Sequence, residues 1–170
     1  YYCGFASPDS YGAHSYFIKH PSGNVLIDSP RFAQPLVKKL EMLGGIRFLF
    51  LTHQDDVADH EKFSHYFKCE RVVHEADAHG SLRRSAGRRL KGEGPWSLAP
   101  DIKIIGVPGH TRGHINLLYQ DTFLFTGDHI FWRNEVKGLD TSHRFNQYSW
   151  EIQIKSVEKL LGESFTWILP

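Results

Sequence analysis

A chain of 170 residues, 41% hydrophobic and 23% charged, has the size and mix of one folded domain over 1–170, able to bury about 70% of its unfolded surface. Its 20 basic and 19 acidic residues leave a net charge of +1, which argues against nucleic acid or an anionic membrane as main partner. The longest apolar run, residues 46–51, is broken by Arg47 and falls far short of the about 20 residues that span a bilayer.

Residues 13–19 mix aromatic and β-branched side chains and predict a strand; Pro21-Ser22-Gly23-Asn24 predicts a turn, and residues 25–27 a second strand ending at Asp28. Apolar residues at 32, 36, 37, 40 and 43 predict a helix over 32–43, stopped by Gly44-Gly45. Residues 47–51 read as a strand buried on both faces. A second helix is expected over 57–67, with Asp56 as N-cap and Phe63, Tyr66 and Phe67 as its inner stripe. Residues 71–74 read as a short strand. Residues 80–100, with Arg83, Arg84, Arg88, Arg89 and Lys91 before Gly92, Gly94 and Pro95, read as a surface loop or a short helix plus loop. Strands over 102–107, 115–119 and 122–125, a helix over 150–161 and a strand over 165–169 complete the chain. Open hairpins with interleaved helices exclude a purely parallel sheet and fit an α+β class: two mixed sheets with helices outside, a four-layer αββα sandwich.

Cys3 and Cys69 form no CxxC pair and are too few for a disulfide framework. No signal peptide precedes the first strand, so an intracellular compartment, cytoplasm or organelle, is expected. The opening on Tyr1 reads as processing or excision from something longer.

Histidine stands out, with 11 in the chain, several beside Asp, Thr and Gly. Thr52-His53-Gln54-Asp55-Asp56-Val57-Ala58-Asp59-His60 leaves the buried strand and enters the second helix. Imidazole nitrogens and carboxylate oxygens are ligands for a divalent metal such as zinc, and Asp56 and His60, four apart, share one helix face. The plainer alternative is a helix start with capping acids and a solvated histidine. Val107-Pro108-Gly109-His110-Thr111-Arg112-Gly113-His114 sets two histidines on a turn between strands, where glycine lets the backbone approach a ligand; a tight hairpin with incidental histidines is the alternative. Phe125-Thr126-Gly127-Asp128-His129 places a carboxylate after a strand, as a metal ligand or a turn residue.

Taken in order, the three segments resemble the metallo-β-lactamase superfamily, and PGHTxGH followed by FTGD looks most like its glyoxalase-II-like branch. The resemblance runs from the hairpin ending in Asp28 to the last strand and implies the same αββα sandwich. By this match His53 is the first histidine of a THxHxDH motif, His110 the ligand of the PGHT segment and Asp128 the aspartate that often bridges two metals. His114 falls at a position that is frequently not a ligand. The THxHxDH motif is altered. Read without a gap, Asp55 replaces its second histidine and the Asp-His pair falls on Val57-Ala58. A shorter loop puts Asp55-Asp56 in place of Asp-His; a longer one makes Asp59-His60 the pair. The candidate metal set is therefore His53, Asp55, Asp56, His60, His110 and Asp128, with Asp55 or Asp56 as the catalytic carboxylate. A carboxylate-rich shell admits iron, manganese or magnesium beside zinc. The family's last strand runs into a Gly-His ligand absent here, which implies C-terminal truncation. Phe131-Trp132 are expected to pack the sheet edge or line a substrate groove.

The resemblance implies a metal-dependent hydrolase of a small molecule, a thioester or similar ester, with the basic run 83–91 as a possible contact for an anionic substrate or a solvated face. A non-catalytic binding module and an iron-dependent redox or sulfur-oxidising protein are the alternatives. Oligomeric state is left open.

Overall fold

The structure, a computed structural model, describes residues 1–85, 87–141 and 143–170. Its contacts divide into two compact units, Tyr1–Val73 with Ala78–Arg89, and His74–Asp77 with Leu90–Pro170.

In the first unit, β1 (Tyr16–Ile18) and β2 (Val25–Ile27) form the expected antiparallel hairpin. β3 (Phe48–Phe50) pairs parallel to β2, β4 (Glu70–His74) parallel to β3, and β5 (Arg88–Leu90) closes the sheet in the order β1-β2-β3-β4-β5. Phe17, Leu26, Leu49 and Val73 cluster with Leu36, Val37 and Leu40 of α1 (Gln34–Met42) and Phe63 of α2 (His60–Phe67), so helices cover one face. Val25, Ile27, Phe50 and Val72 on the other face are also buried, which explains why the strand at 47–51 reads as continuously apolar.

Two expectations for α2 are corrected. The helix starts at His60 rather than Val57, with Asp59, not Asp56, at the N-cap position. Residues 53–59 are held off the helical path by bonds to distant segments: Ala58 N to Ser10 Oγ at 2.9 Å, Ser29 N to the Asp56 carbonyl at 3.0 Å, and Phe32 N to Asp59 Oδ2 at 2.7 Å. Tyr66 is not in the buried stripe; it is 48% exposed and donates its hydroxyl to Glu41.

The segment read as irregular contains α3 (Gly80–Ser85), β5 and β6 (Trp96–Ala99). Ala86, within the basic run, lies outside the described residues. β5 and β6 are edge strands, where charged residues are normal and blunt further pairing, so their composition mimics a loop. Arg88 pairs with Glu70 at 3.1 Å and lies over the Phe48 ring at 5.4 Å.

The second unit is built on β6, β7 (Ile102–Gly106), β8 (Ile115–Tyr119), β9 (Phe123–Phe125) and β12 (Trp167–Leu169), in the order β12-β9-β8-β7-β6. Neighbours run antiparallel except the parallel β12–β9 pair. Ile105, Val107, Leu118 and Leu124 form its core with Val157 of α4 (Trp150–Lys159) and Leu160 just beyond it. Phe131 and Trp132 lie in no strand of that sheet. They belong to a separate hairpin, β10 (Phe131–Arg133) with β11 (Gly138–Asp140), on which Trp132 is 58% exposed.

Both cysteines are free thiols, and burial pushes each up to about 11. Among the described residues no helix is long and apolar enough to cross a membrane.

Candidate metal centre

In the first unit, β3 delivers Thr52 and His53 into a buried position, both 0% exposed. Thr52 is fixed to Asp28 twice: its backbone N–H donates to Oδ1 at 2.8 Å, and its hydroxyl lies 2.9 and 3.0 Å from the two carboxylate oxygens. Asp28 ends β2 with a left-handed φ of 54°, a conformation Asp tolerates better than most residues. His53 Nδ1 lies 3.0 Å from the same hydroxyl. A carboxylate only accepts, so the single hydroxyl proton goes to Asp28 and Nδ1–H donates to Thr52. That assigns the tautomer with its lone pair on Nε2, the arrangement by which an outer partner orients a metal-binding histidine. His53 Nε2 is 3.8 Å from Asp55 Oδ2, and His53 Nδ1 is 3.8 Å from Asp56 Oδ2.

His60 is otherwise engaged. Arg71 Nη1 donates to its Nδ1 at 2.9 Å, and burial, then the Arg71 charge, pulls its pKa down to about 4. Asp59 accepts from Phe32 N and pairs with Lys62 at 2.7 Å. The longer-loop alignment, with Asp59-His60 as the ligand pair, thus meets two side chains that already have structural partners, while Asp55 and Asp56 lie beside His53.

In the second unit, the 107–114 loop joins β7 to β8. Val107 N bonds the His114 carbonyl at 2.9 Å, closing its base. Asp77, 1% exposed, accepts from Thr111 Oγ1 at 2.5 Å and from Gly113 N at 2.6 Å. A Cβ on Gly113 would come within 2.8 Å of Asp77 N, so only glycine permits this approach. On the other side, a Cβ on Gly109 would fall on Gln153 Cα and Cβ in α4. The loop is clamped from two directions, and His110, 2% exposed, is held between them.

Asp128 follows β9 on a turn in which His129 N bonds the Thr126 carbonyl at 3.0 Å and Thr126 Oγ1 bonds the Ile130 carbonyl at 2.8 Å. Its side chain is 54% exposed, and its Oδ2 lies 3.6 Å from His110 Nε2. Two atoms bound to one ion at about 2.1 Å and at a tetrahedral angle lie about 3.4 Å apart. The pair has the spacing and chemistry of a half-shell, so these residues fit a divalent metal. The rings of His114 and His110, and of His114 and His129, are each 5.8 Å apart, so a histidine layer lies behind the pair. Burial, the largest influence, and the neighbouring His110 lower the His129 pKa to about 4, against a Ser156 backbone contact that raises it.

The resemblance put His53, Asp55, Asp56, His60, His110 and Asp128 in one metal set; within the units the structure sets His53 beside Asp55 and Asp56, and His110 beside Asp128. Sequence reasoning did not single out Thr52, Asp77 or Gln153 as supports. None belongs to a ligand-like spacing, and Gln153 lies on a helix with no other chemical signal; Asp28 was visible as the end of a hairpin that resembles the family's first acidic turn, without its role toward Thr52.

Each unit sets a mixed sheet beside helices and brings histidine and carboxylate together at strand ends, and the chain as a whole has the metallo-β-lactamase fold. This is shown by solved structures. They include the BLEG-1 B3 metallo-β-lactamase (TM-score 0.71, 18% identity, 91% of this chain and 81% of that one) and ETHE1 from Myxococcus xanthus (TM-score 0.68, 18% identity, 95% and 69%). A third, TTHA1623, was solved in a di-iron-bound form (TM-score 0.70, 18% identity, 95% and 86%). Among curated proteins the chain is similar to hydroxyacylglutathione hydrolase from Synechococcus sp. (strain JA-2-3B'a(2-13)), 28% identical over 121 residues, 68% of this chain. The chain spans about half, 48%, of that relative. No family model matches the chain.

Proposed function

We propose that this chain is the metal-binding part of a hydrolase that cleaves a small thioester or similar ester, with His110 and Asp128 as ligands of a divalent ion and His53 as a separate ligand candidate. The observation that carries the reading is the 3.6 Å spacing of His110 Nε2 and Asp128 Oδ2. The hydroxyl and carboxylate that assign His53 a ligand-ready Nε2, and the similarity to a hydroxyacylglutathione hydrolase over 68% of the chain, support it.

A divalent ion, when bound, makes water a nucleophile near neutral pH and supplies charge to a developing oxyanion. Asp55, with its side chain 21% exposed beside His53 Nε2, would accept a proton from water or offer a ligand oxygen there. Asp56, its side chain only 4% exposed, lies 3.8 Å from His53 Nδ1 and adds negative charge beside the ring. Zinc is the first choice of metal; iron and manganese suit the added carboxylate. The partner is a small molecule rather than nucleic acid or membrane, in an intracellular setting. A groove of about 660 Å³, with Arg112, His114, Tyr148 and Ile152 among its walls, runs along the ligand loop and offers space for such a substrate.

Elemental analysis together with hydrolysis of a hydroxyacyl thioester of glutathione tests the proposal. The expected result is stoichiometric zinc and thioester cleavage, with His110→Ala losing both. Iron with oxygen consumption would favour the redox alternative, and a folded chain that takes up no metal would favour a binding module. A His110→Ala chain that keeps metal and activity overturns the reading.

A further inference from the structure

Helix α4 carries a glutamine that no catalytic pattern singles out. Gln153 is 0% exposed in mid-helix, where an apolar residue would pack without needing hydrogen-bond partners. Its amide is heavily used. Oε1 accepts from Asn146 Nδ2 at 2.5 Å, and the same Asn146 nitrogen donates to the Gly109 carbonyl at 2.8 Å. Nε2 donates to the His129 carbonyl at 3.1 Å and to Thr141 Oγ1. The residue thus touches, directly or through Asn146, the backbone next to His110 and the backbone next to Asp128. Three further bonds lay residues 108–110 against α4 and the segment before it: Ser156 Oγ to the Pro108 carbonyl at 2.6 Å, Ser149 N to Gly109 at 3.1 Å and Gln147 N to His110 at 2.8 Å. None of these three reaches the Asp128 turn. The missing side chain at Gly109 allows the loop to rest on the helix backbone at Gln153 itself.

We infer that Gln153 is a positioning residue: it ties the His110 loop and the Asp128–His129 turn to α4 as one body and so sets the separation of the two ligand atoms. The inference rests on the metal-holding role proposed above. Outer partners of this kind orient ligands that would otherwise rotate freely, and their loss typically weakens metal binding about 10–100-fold.

Two measurements on the whole chain test it. In the metal-free protein, hydrogen exchange is followed by mass spectrometry in peptides covering 108–114, 126–130 and, as an internal reference, 115–119. Gln153→Met, which keeps volume but has no amide, should speed exchange about tenfold in the first two peptides together, the equivalent of one or two lost hydrogen bonds, and leave the third unchanged. Ser156→Ala should loosen only the first. Gln153→Glu keeps the acceptor for Asn146 but loses the donor to His129, so it should loosen 126–130 and spare 108–114; it also decides the matter if Gln153→Met does not fold. The second measurement is cobalt(II) affinity by visible absorption, expected to fall about 10–100-fold in Gln153→Met. Unchanged exchange at 126–130 in both Gln153 variants, or loosening of both loops by Ser156→Ala, refutes the coupling. A parent that binds cobalt and a Gln153→Met chain that binds it equally well refutes the positioning role alone. A parent that binds no cobalt, zinc, iron or manganese removes the metal-holding reading itself.

Discussion

Replacing Asp77 should be among the most damaging single changes in the second unit. Its carboxylate is 1% exposed and accepts from Thr111 Oγ1 and Gly113 N at 2.5 and 2.6 Å. Each charge-assisted bond contributes about 1.5–3 kcal/mol, and Asp77→Ala also deprives the buried Gly113 N–H and Thr111 hydroxyl of that acceptor. The terms overlap, so the expected loss is about 3–5 kcal/mol, a large part of the about 5–15 kcal/mol that holds a typical domain folded. Asp77→Asn keeps an oxygen for Gly113 N and offers an amide to Thr111, replacing charged by neutral bonds, and should cost about 1–2 kcal/mol. Urea unfolding followed by tryptophan fluorescence reads both as a lower midpoint at unchanged slope. Combining Asp77→Ala with Thr111→Val should reveal a coupling of about 1–2 kcal/mol, because the two residues share one bond. An Asp77→Ala loss below about 1 kcal/mol, the range of an ordinary surface change, or an Asn variant as unstable as the Ala variant, refutes this account of the clamp.

The burial of His60, with the Arg71 charge beside it, makes stability pH-dependent. His60 stays neutral in the folded chain until about pH 4 but protonates near its ordinary 6.5 when unfolded. Its contribution is therefore complete above pH 6.5 and lost as pH falls toward 4; discounted for the part of the ring that solvent reaches, it is about 1–2 kcal/mol. His60→Gln should reduce the slope in that window and leave the part due to His129, whose pKa is lowered in the same way; an unchanged slope would refute the assignment to His60. Gly109→Ala should cost about 1–3 kcal/mol by thermal unfolding, since its Cβ meets the α4 backbone; Gly162→Ala, with open space around it, should stay within about 0.5 kcal/mol. Phe63→Ala, at a fully buried ring 4.9 Å from Phe32, should lose about 3–5 kcal/mol by urea unfolding.

Strands were legible wherever both faces of a segment are buried. The 25–27, 48–50 and 115–119 strands announce themselves because nearly every side chain must be apolar. β5 and β6 were missed because their edge positions admit arginine, serine and tryptophan, and the β10–β11 hairpin because none of its strand residues is fully buried, which leaves no apolar pattern to read. The start of α2 was misplaced for another reason. Asp56 has good capping chemistry, yet the hydrogen bonds that shape residues 53–59 come from Ser10, Ser29 and Phe32, distant in sequence.

The sequence by itself determined the kind of fold and the chemistry available to it, because burial dictates apolar periodicity and because histidine and carboxylate at strand ends carry their ligand chemistry wherever they go. Tertiary structure decided which partners those groups meet. Arg71 occupies the His60 ring and the Phe32 N–H the Asp59 carboxylate, while Asp28 reaches His53 through Thr52 and assigns its tautomer. Such pairings join residues far apart in the chain, and no local pattern encodes them, since each depends on where the backbone has already been brought by packing.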